Sequence, residues 1–404
     1  MKNSNQASLV PSSKGITRRE GLMLTVLGSA MLMAGCGGGG GGGDGTPPVA
    51  TGSSATGAIT GFGSIIVGGV RFDDSAASVH DDDGDSLNRG DLKLGMVVRI
   101  KGGKKTDDGS SIRANADSIE VHSELQGPVD SKAADSKSII VLGQTVKISA
   151  TTFFEDGLSL ATLAVGAVVE VHGFVDPVSN NLTATRIESK PNAKVFKLQG
   201  TVSALNTAPA VKTFKLGTLT ISYLTAVVPS SLTLANGSVV RVRLALTPLT
   251  GTRTALKVQK FEIEKEDRNE AEVEGIITAF TSTALFSVNG LQVNAGNIVV
   301  PAGVKLGARV EVEGSVVNGV LVAKKVKLED GEDAAKFELH GTPLSLNTVA
   351  KTFVLRGVTV NYGTATFANG ATATSLSIVG IKLEVKGVPS AGNIIVATRI
   401  SIER

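Results

Sequence analysis

The chain has 404 residues, of which 40 are Lys or Arg and 37 are Asp or Glu, for a formal net charge of +3. Residues 1–35 contain four basic residues and one acidic residue, so they carry this whole excess and the rest of the chain is neutral. Aromatic residues make up 4% of the chain and Trp is absent from it, so large stacking surfaces are scarce. Without a basic patch or an aromatic platform, we expect no nucleic-acid partner.

Residues 1–35 have the layout of a bacterial signal peptide. A polar start leads to Arg18 and Arg19, and thirteen mostly apolar residues follow at positions 22–34. This apolar stretch is shorter than the ~20 residues that a membrane-spanning helix needs. The order of a basic, an apolar and a small-residue segment therefore predicts an export signal that is removed.

Residues 32–36, Leu-Met-Ala-Gly-Cys, resemble the lipobox of bacterial lipoproteins, and Cys36 is the single cysteine of the chain. The resemblance implies that Cys36 receives a diacylglyceryl group, that the chain is cut before it, and that its new amine is acylated. Such an anchor exceeds the two lipid signals that stable membrane attachment requires. Gly37, rather than Asp, after the cysteine implies the outer membrane.

Arg18 and Arg19 resemble the twin-arginine export signal, which marks proteins exported in the folded state. Gly21 and Met23 depart from the aromatic residue and the Lys that are usual there, so ordinary secretion stays open as the alternative route.

Residues 36–54 begin with the lipidated cysteine and seven consecutive Gly, which predicts a flexible tether. Because the one cysteine takes the lipid, we expect neither disulfides nor thiol chemistry in the body of the protein.

The body contains five copies of one unit. A glycine within an apolar-x-Gly-x-x-apolar sequence recurs at intervals of 70 to 73 residues, at Gly95, Gly166, Gly237, Gly307 and Gly380. Each copy ends with an apolar residue followed by Glu, at Glu120, Glu188, Glu264, Glu329 and Glu403. So regular a period indicates a repeat architecture. We place the units at residues 55–122, 123–190, 195–265, 271–329 and 336–404, and number them 1 to 5.

Within a unit, apolar and polar residues alternate, as in Arg-Val-Glu-Val-Glu at residues 309–313. This period of two predicts strands, and the body has no convincing amphipathic helix pattern of ten or more residues. Closing four or five short strands into a barrel removes the unpaired edges of an open sheet. We predict an all-β fold, a tandem array of about five small OB-like β-barrels, with small β-sandwiches as the second choice. Units 1 and 2 are expected to pack as a pair, and polar joints are expected to let the others flex.

Unit 1 resembles a known bacterial family. Residues 59–72, Ile-Thr-Gly-Phe-Gly-Ser-Ile-Ile-Val-Gly-Gly-Val-Arg-Phe, and residues 94–98, Leu-Gly-Met-Val-Val, look like the domain of unknown function 5666. The other units keep the strand pattern but lack the Gly-Phe-Gly-Ser run, so unit 1 is expected to match best. At domain level the resemblance covers residues 55–404. It implies an exported protein with an OB-like fold, and it brings no activity, because the family has none assigned.

The most concentrated polar feature is the run His-Asp-Asp-Asp-Gly-Asp that follows Val79. Clustered carboxylates around a glycine turn can bind Ca²⁺, which prefers oxygen ligands, so Asp81, Asp83 and Asp85 are the candidate metal ligands. An EF-hand does not fit, because aligning Gly84 with the glycine of that loop places Val79 in the first ligand position. We expect a solvated acidic loop without an ion, and the Ca²⁺ site is the alternative. Apart from this Ca²⁺ we predict no cofactor.

His172 and His340 occupy positions at which other units carry charged or polar residues, so we expect both at solvent-facing strand ends. No histidine is paired with another at ligand spacing, and the sequence therefore lends no support to a zinc site. Phe214, Phe286 and Phe353 recur at one place on the second strand of their units, which predicts core positions.

Motifs of known catalytic sites are missing, including the nucleophile elbow and the P-loop. We therefore expect a non-enzymatic, lipid-anchored cell-envelope protein, a binding or spacing scaffold at the outer membrane that faces the periplasm or the cell surface. Its partner would be an envelope glycan, a protein or a divalent ion. The alternative is an envelope enzyme or an enzyme-accessory module with a site formed between barrels. A deep pocket with convergent polar groups between units would favour that alternative.

Overall fold

A computed structural model describes the chain from residue 52 to residue 403, except residues 110, 136, 248–250, 262–264, 330–335 and 391–392. The predictions on Arg18, Arg19, Cys36 and the tether up to residue 51 therefore lie outside the described residues. The described part contains 31 strands, the short 3-10 helices Arg89–Asp91 and Ala373–Ser377, and no α-helix. None of its helices has the length and apolar character needed to cross a membrane.

Units 1 and 2 contain fourteen strands. Those of unit 1 are β1 Ser53–Ala58, β2 Gly61–Phe62, β3 Ile65–Val67, β4 Val70–Asp73, β5 Ser78–Asp81, β6 Val97–Gly102, β7 Thr106–Asp107 and β8 Ile112–His122. Those of unit 2 are β9 Leu125–Lys132, β10 Ser138–Val141, β11 Gln144–Lys147, β12 Phe153–Phe154, β13 Val168–Val175 and β14 Leu182–Ser189.

Units 3, 4 and 5 contain the remaining strands. Unit 3 has β15 Phe196–Asn206, β16 Thr213–Leu216, β17 Leu219–Ser222, β18 Val239–Leu244 and β19 Arg253–Lys260. Unit 4 has β20 Arg268–Ser282, β21 Leu285–Val288, β22 Leu291–Asn294, β23 Arg309–Val317 and β24 Val320–Leu328. Unit 5 has β25 Phe337–Gly341, β26 Leu344–Asn347, β27 Thr352–Leu355, β28 Val358–Asn361, β29 Thr366–Ala368, β30 Leu383–Ser390 and β31 Ile394–Ile402.

The units close into small five-stranded barrels with one strand order, which unit 3 shows most simply. Its first strand, β15, pairs antiparallel with β16 and with β18. β16 pairs with β17, β17 runs parallel to β19, and β19 pairs with β18. This order is OB-like, and closure gives each edge strand a partner. The predicted tandem array of small β-barrels is confirmed, and the sandwich is not the architecture that forms.

Apolar side chains at alternate positions of the strands fill the cores of the barrels. In β23, Val310 and Val312 are fully buried, while Glu311 between them faces away from the core. Phe214, Phe286 and Phe353 lie at equivalent places in β16, β21 and β27 and are at most 2% exposed, so their predicted core positions are confirmed. Burial of each such side chain contributes roughly 1.5–3 kcal/mol to stability, which makes these rings major contributors to small cores.

The glycine of the repeat recurs because of the backbone conformation at its position. Its φ lies between +80° and +89° in all five copies, which are Gly95, Gly166, Gly237, Gly307 and Gly380. An L side chain is strained in this left-handed region, whereas glycine is not. The glycine makes the turn that leads into the fourth strand of each barrel, so the period of the sequence follows from one turn made five times.

A second glycine makes a β-bulge within that fourth strand. In unit 2 the register between β13 and β14 shifts between His172 and Gly173, and a Cβ on Gly173 would overlap the carbonyl oxygen of Thr183. Gly314 and Gly387 occupy the corresponding bulges of units 4 and 5. The bulge bends the strand, which helps so small a sheet to close.

Strand pairing also joins one barrel to another. β1 of unit 1 pairs parallel with β20 of unit 4, and β2 of unit 1 pairs parallel with β25 of unit 5. β9 of unit 2 pairs with β15 of unit 3. Units 1 and 2 do touch, since Thr185 Oγ1 donates to the Gly95 carbonyl oxygen at 2.5 Å. The expectation that the later units flex was wrong, because units 4 and 5 pair their first strands with unit 1.

The Gly-Phe-Gly-Ser run of unit 1 forms the contact with unit 5. Gly61 lies opposite Glu338, and a Cβ on Gly61 would overlap the Glu338 carbonyl oxygen. A Cβ on Gly63 would overlap the Cβ of His340. Glycine allows the two backbones to approach this closely. The run is therefore a docking segment, which accounts for its presence in unit 1 alone.

Candidate functional site

The acidic loop of unit 1 packs against unit 3. The side chains of Asp82 and Asp83 are 2% and 4% exposed. Lys197 Nζ lies 2.6 Å from Asp83 Oδ2, and Arg241 Nη1 lies 2.6 Å from Asp82 Oδ2. The expectation of a solvated loop was therefore wrong for these two carboxylates. Their partner Lys197 is 115 residues from Asp82 along the chain, a separation that local sequence patterns do not bridge.

The three candidate Ca²⁺ ligands are only partly brought together. Carboxylate oxygens of Asp81, Asp82 and Asp83 lie within 4.8 Å of one another, and Asp85 does not belong to this group. Asp81 Oδ1 accepts the backbone N–H groups of Asp83 and Asp85 at 3.0 and 2.9 Å. Burial would raise the pKa of Asp83, but the ammonium of Lys197 holds it below its usual value. Lys197 thus competes for these oxygens, and Ca²⁺ binding stays a prediction.

The histidines depart most from what the sequence led us to expect. We placed His172 and His340 at solvent-facing strand ends, yet they are 1% and 3% exposed. Both do point away from their own barrel cores, but another unit covers them. His172 Nδ1 lies 2.6 Å from the His122 carbonyl oxygen of unit 1. Strand alternation indicates which face a side chain takes, and it carries no information on what packs against that face.

A cleft of about 580 Å³, here called the inter-unit cleft, lies where units 1, 2, 3 and 5 meet. The charged side chains in its walls are Asp81, Asp91, Lys93, Glu155, Asp156, Glu170, Arg186, Glu188, Lys190, Lys197 and Arg356. Convergence of polar groups in a cleft is typical of a ligand site. It is also the observation that we expected to favour the alternative function, an envelope enzyme or enzyme-accessory module with a site between barrels.

Two glutamates of unit 2 face each other in one wall of this cleft. Glu170 on β13 lies directly opposite Glu188 on β14. Like charges at such positions destabilise a sheet unless cations separate them. Lys190 Nζ lies 2.8 Å from Glu170 Oε2 and 3.1 Å from Glu188 Oε2. Burial would raise the pKa of Glu188, but the guanidinium of Arg186, 2.5 Å from Glu188 Oε1, is the main cause that lowers it to about 2.

His172 completes this group on the same face of β13 as Glu170. Because the His122 carbonyl oxygen can only accept, His172 Nδ1 donates to it, and Nε2 on the other side of the ring points towards Glu170. Nε2 is buried, makes no hydrogen bond within the described residues, and lies 4.0 Å from Glu170 Oε2. Ligand atoms of Glu170, His172 and Glu188 all lie within 4.8 Å of one another.

A smaller cavity of about 260 Å³ is lined by units 1 to 4. Glu124 in its wall is buried and accepts the backbone N–H of Gly173 at 2.8 Å. Burial raises the pKa of Glu124 to about 8, so this carboxyl holds a proton at neutral pH. Burial, with the nearby charge of Arg99, also lowers the pKa of His122 well below its usual value. The smaller cavity therefore carries little charge, and the inter-unit cleft is the better candidate for a polar ligand.

The sequence contained one signal for the Glu170 group. Each unit ends in Glu, and in unit 1 this closing residue, Glu120, lies opposite Arg99 and pairs with it at 3.3 Å. The residue in the place of Arg99, four positions after the repeat glycine, is Glu170 in unit 2. Units 4 and 5 also carry glutamate there, Glu311 and Glu384, but these lie opposite Lys327 and Ser401. What distinguishes unit 2 is that its glutamate faces a second glutamate. No pattern in the sequence indicated that unit 1 packs over His172.

Comparison with known proteins identifies the repeats. The family model of the domain of unknown function (DUF5666) matches residues 126–188, 274–327 and 344–401, which lie in units 2, 4 and 5. Unit 1, which we expected to match best, is not among these segments. The search of curated proteins gives no match. Three segments of the chain thus match the domain of unknown function DUF5666, consistent with tandem repeats of that domain, and the resemblance to that family is confirmed.

Proposed function

We propose that this protein is a lipid-anchored protein of the bacterial cell envelope that binds a charged ligand in the inter-unit cleft. The observation that carries the binding function is the convergence of charged side chains from four units in one cleft of about 580 Å³. A chain of barrels that served only as a spacer would need no such convergence. Of the two scaffold roles, we therefore propose that the protein binds a ligand rather than acts as a spacer.

The proposed location in the cell envelope rests on the sequence of the first 37 residues. Cys36 in its lipobox-like segment supports the lipid anchor, Arg18 and Arg19 support twin-arginine export, and Gly37 supports the outer membrane. Cys36→Ala should abolish incorporation of a labelled fatty acid and release the protein from the membrane fraction. Retention of the label in that variant would contradict the anchor.

The walls of the cleft favour a charged partner, such as a protein segment, over a neutral glycan. Pockets for small neutral ligands are usually lined by apolar and aromatic side chains. Tyr223 and Tyr362 are instead buried in the barrel cores, and the sequence has no Trp. The cleft offers the exposed charges of Lys93, Asp156 and Arg356. The neutral balance of the chain after residue 35 gives no support to a nucleic-acid partner.

Reversal of two exposed cleft charges tests the binding function. The double variant Lys93→Glu and Asp156→Lys keeps the net charge, so we expect it to lose the partner that the wild-type full chain captures from envelope extract. The matched control, Lys305→Glu with Asp117→Lys, alters two exposed charges outside the cleft. Equal capture by the cleft variant and the control contradicts a ligand site in the cleft, and capture of a neutral glycan contradicts a charged ligand.

The second candidate function is an envelope enzyme or an enzyme-accessory module with its site between the barrels. The observation in its favour is the buried group of Glu170, His172 and Glu188 in the cleft wall, since titratable groups gathered in a pocket are typical of catalytic sites. Mass spectrometry of the captured partner separates the two candidates. A partner that the wild-type protein leaves chemically unchanged contradicts the enzyme.

A further inference from the structure

We propose that Glu170, His172 and Glu188 form a binding site for a divalent transition-metal ion of the Zn²⁺ class in the wall of the inter-unit cleft. The site lies in the same cleft as the proposed ligand, but metal binding is measured with no other ligand present. Failure of one proposal is therefore distinguishable from failure of the other.

The ring of His172 is held as a metal-binding histidine is held. Ligating histidines usually donate their second ring N–H to a carbonyl or a carboxylate, which fixes the ring and directs the other nitrogen at the ion. Here Nδ1 donates to the His122 carbonyl oxygen at 2.6 Å. Nε2 is buried without a hydrogen bond among the described residues and faces Glu170 Oε2 at 4.0 Å. A cation placed between this nitrogen and the carboxylate would be within reach of both.

The cross-strand pair of Glu170 and Glu188 is the second observation. These carboxylates lie directly opposite each other on β13 and β14, whereas unit 1 has Arg99 opposite Glu120. Where unit 1 has a pair of opposite charges, unit 2 thus has two carboxylates beside a buried imidazole. Two carboxylate oxygens with one imidazole nitrogen form a ligand set suited to Zn²⁺ and related ions.

Small movements would complete the coordination. The three ligand atoms lie within 4.8 Å of one another, whereas ligand atoms around a tetrahedral Zn²⁺ are about 3.3 Å apart. Rotation of the two glutamate side chains can supply that difference. The cleft borders all three residues, so the fourth position of the ion would open towards it, as in sites that keep a position for water or substrate.

Lys190 is the competitor for this site. Its Nζ bridges the two carboxylates at 2.8 and 3.1 Å, where a cation bound by both would lie. Its side chain is 36% exposed, so the ammonium can move into solvent when an ion binds. Removal of the ammonium should therefore strengthen metal binding, whereas a structural ion pair with no metal function predicts no such gain.

Calorimetric titration of the metal-stripped full chain in detergent with Zn²⁺ tests the site. We expect one Zn²⁺ per chain at this site, at least about tenfold weaker binding in His172→Gln, and tighter binding in Lys190→Met. The matched control is His340→Gln, because His340 is equally buried and also lies beside a glutamate, Glu338. That variant should bind Zn²⁺ like the wild type.

Two results would overturn the proposal. One is the absence of Zn²⁺ binding by both the wild type and Lys190→Met, and the other is an equal effect of His172→Gln and His340→Gln. Should His172→Gln fail to fold, Glu188→Gln replaces it with the same expected loss. Substitution with Co²⁺ adds a spectroscopic readout: visible absorption bands of a four-coordinate ion should appear in the wild type and vanish in the His172 or Glu188 variant.

Discussion

Lys197 holds the acidic loop of unit 1 against unit 3. Its Nζ lies 2.6 Å from Asp83 Oδ2 and 3.4 Å from Asp82 Oδ1, and all three side chains are at most 9% exposed. In Lys197→Met, the two carboxylates lose a cation that they cannot replace from solvent. Breaking a buried ion pair typically costs about 3–5 kcal/mol, and we expect a loss of this size in the free energy of unfolding from denaturant titration.

The control for Lys197 is Lys325→Met. Lys325 Nζ pairs with Glu313 at 2.6 Å, but its side chain is 59% exposed. Exposed pairs contribute only about 0–1 kcal/mol, so this variant should unfold almost like the wild type. Similar losses in both variants would show that burial of the acidic loop is not what makes its ion pairs matter.

The buried carboxyl of Glu124 should make stability depend on pH. Burial raises its pKa from the usual 4.5 to about 8 in the folded chain. The folded state therefore keeps a proton that the unfolded state releases above about pH 4.5. The stabilisation from Glu124 is complete below that pH and is lost as the pH rises through about 8.

Glu124→Gln separates this carboxyl from the other titrating groups. An amide cannot ionise, and its oxygen can still accept the N–H of Gly173. Between about pH 5 and 8, the fall in unfolding free energy should be shallower in the variant by up to about 1.4 kcal/mol per pH unit. Parallel pH profiles for wild type and variant, measured by denaturant titration, would mean that Glu124 does not hold the proton.

At the scale of elements, the short strand β2 docks unit 5 onto unit 1. The backbone N–H of Glu338 donates to the Thr60 carbonyl oxygen at 3.0 Å, and Gly61 packs against the Glu338 carbonyl. Gly61→Ala places a methyl group into that backbone, which should cost about 1–3 kcal/mol and speed hydrogen exchange of the Glu338 amide.

Gly103→Ala is the matched control for this docking contact. Gly61 and Gly103 both lack a positive φ, so alanine brings no left-handed strain at either position. A Cβ on Gly103 meets no atom within 4 Å. The control should leave exchange at Glu338 unchanged and alter stability by less than about 1 kcal/mol. Equal exchange rates at Glu338 in both variants would contradict the docking role of β2.

At the scale of the whole molecule, the barrels form one packed body because their first strands pair across units. The distance between Lys101 Nζ of unit 1 and Glu266 Oε2 is 3.4 Å, and Glu266 lies two residues before the start of β20. Both side chains are accessible, at 37% and 52% exposure. A carbodiimide, which joins an amine and a carboxylate in direct contact, should therefore cross-link these residues within one chain at high dilution.

Lys101→Arg controls the cross-link, since arginine keeps the charge but forms no amide under these conditions. The peptide that joins unit 1 to the segment just before unit 4 should disappear in this variant, and other cross-links should persist. If the wild type gives cross-links only between residues of one unit, the barrels are separate bodies on a string and the packed arrangement is wrong.

The sequence by itself determined the repeat, the strands and the barrel. The recurring glycine was visible because one left-handed turn requires the same residue in every copy, and the alternation of β23 follows from the two faces of a strand. Core positions such as Phe214 and Phe353 followed, because the inner face of a small barrel is covered by its own strands. These features depend on residues that are near in sequence or repeated at a fixed distance.

Tertiary structure alone decided what covers the outer faces. The burial of His172 under unit 1 and the ion pair of Lys197 with Asp83 were not visible in the sequence. The physical reason is that alternation places a side chain outside its barrel, while its surroundings depend on which other barrel packs there. The inter-unit cleft and its glutamate–histidine group exist because β1 and β2 pair with later units and bring outward faces together.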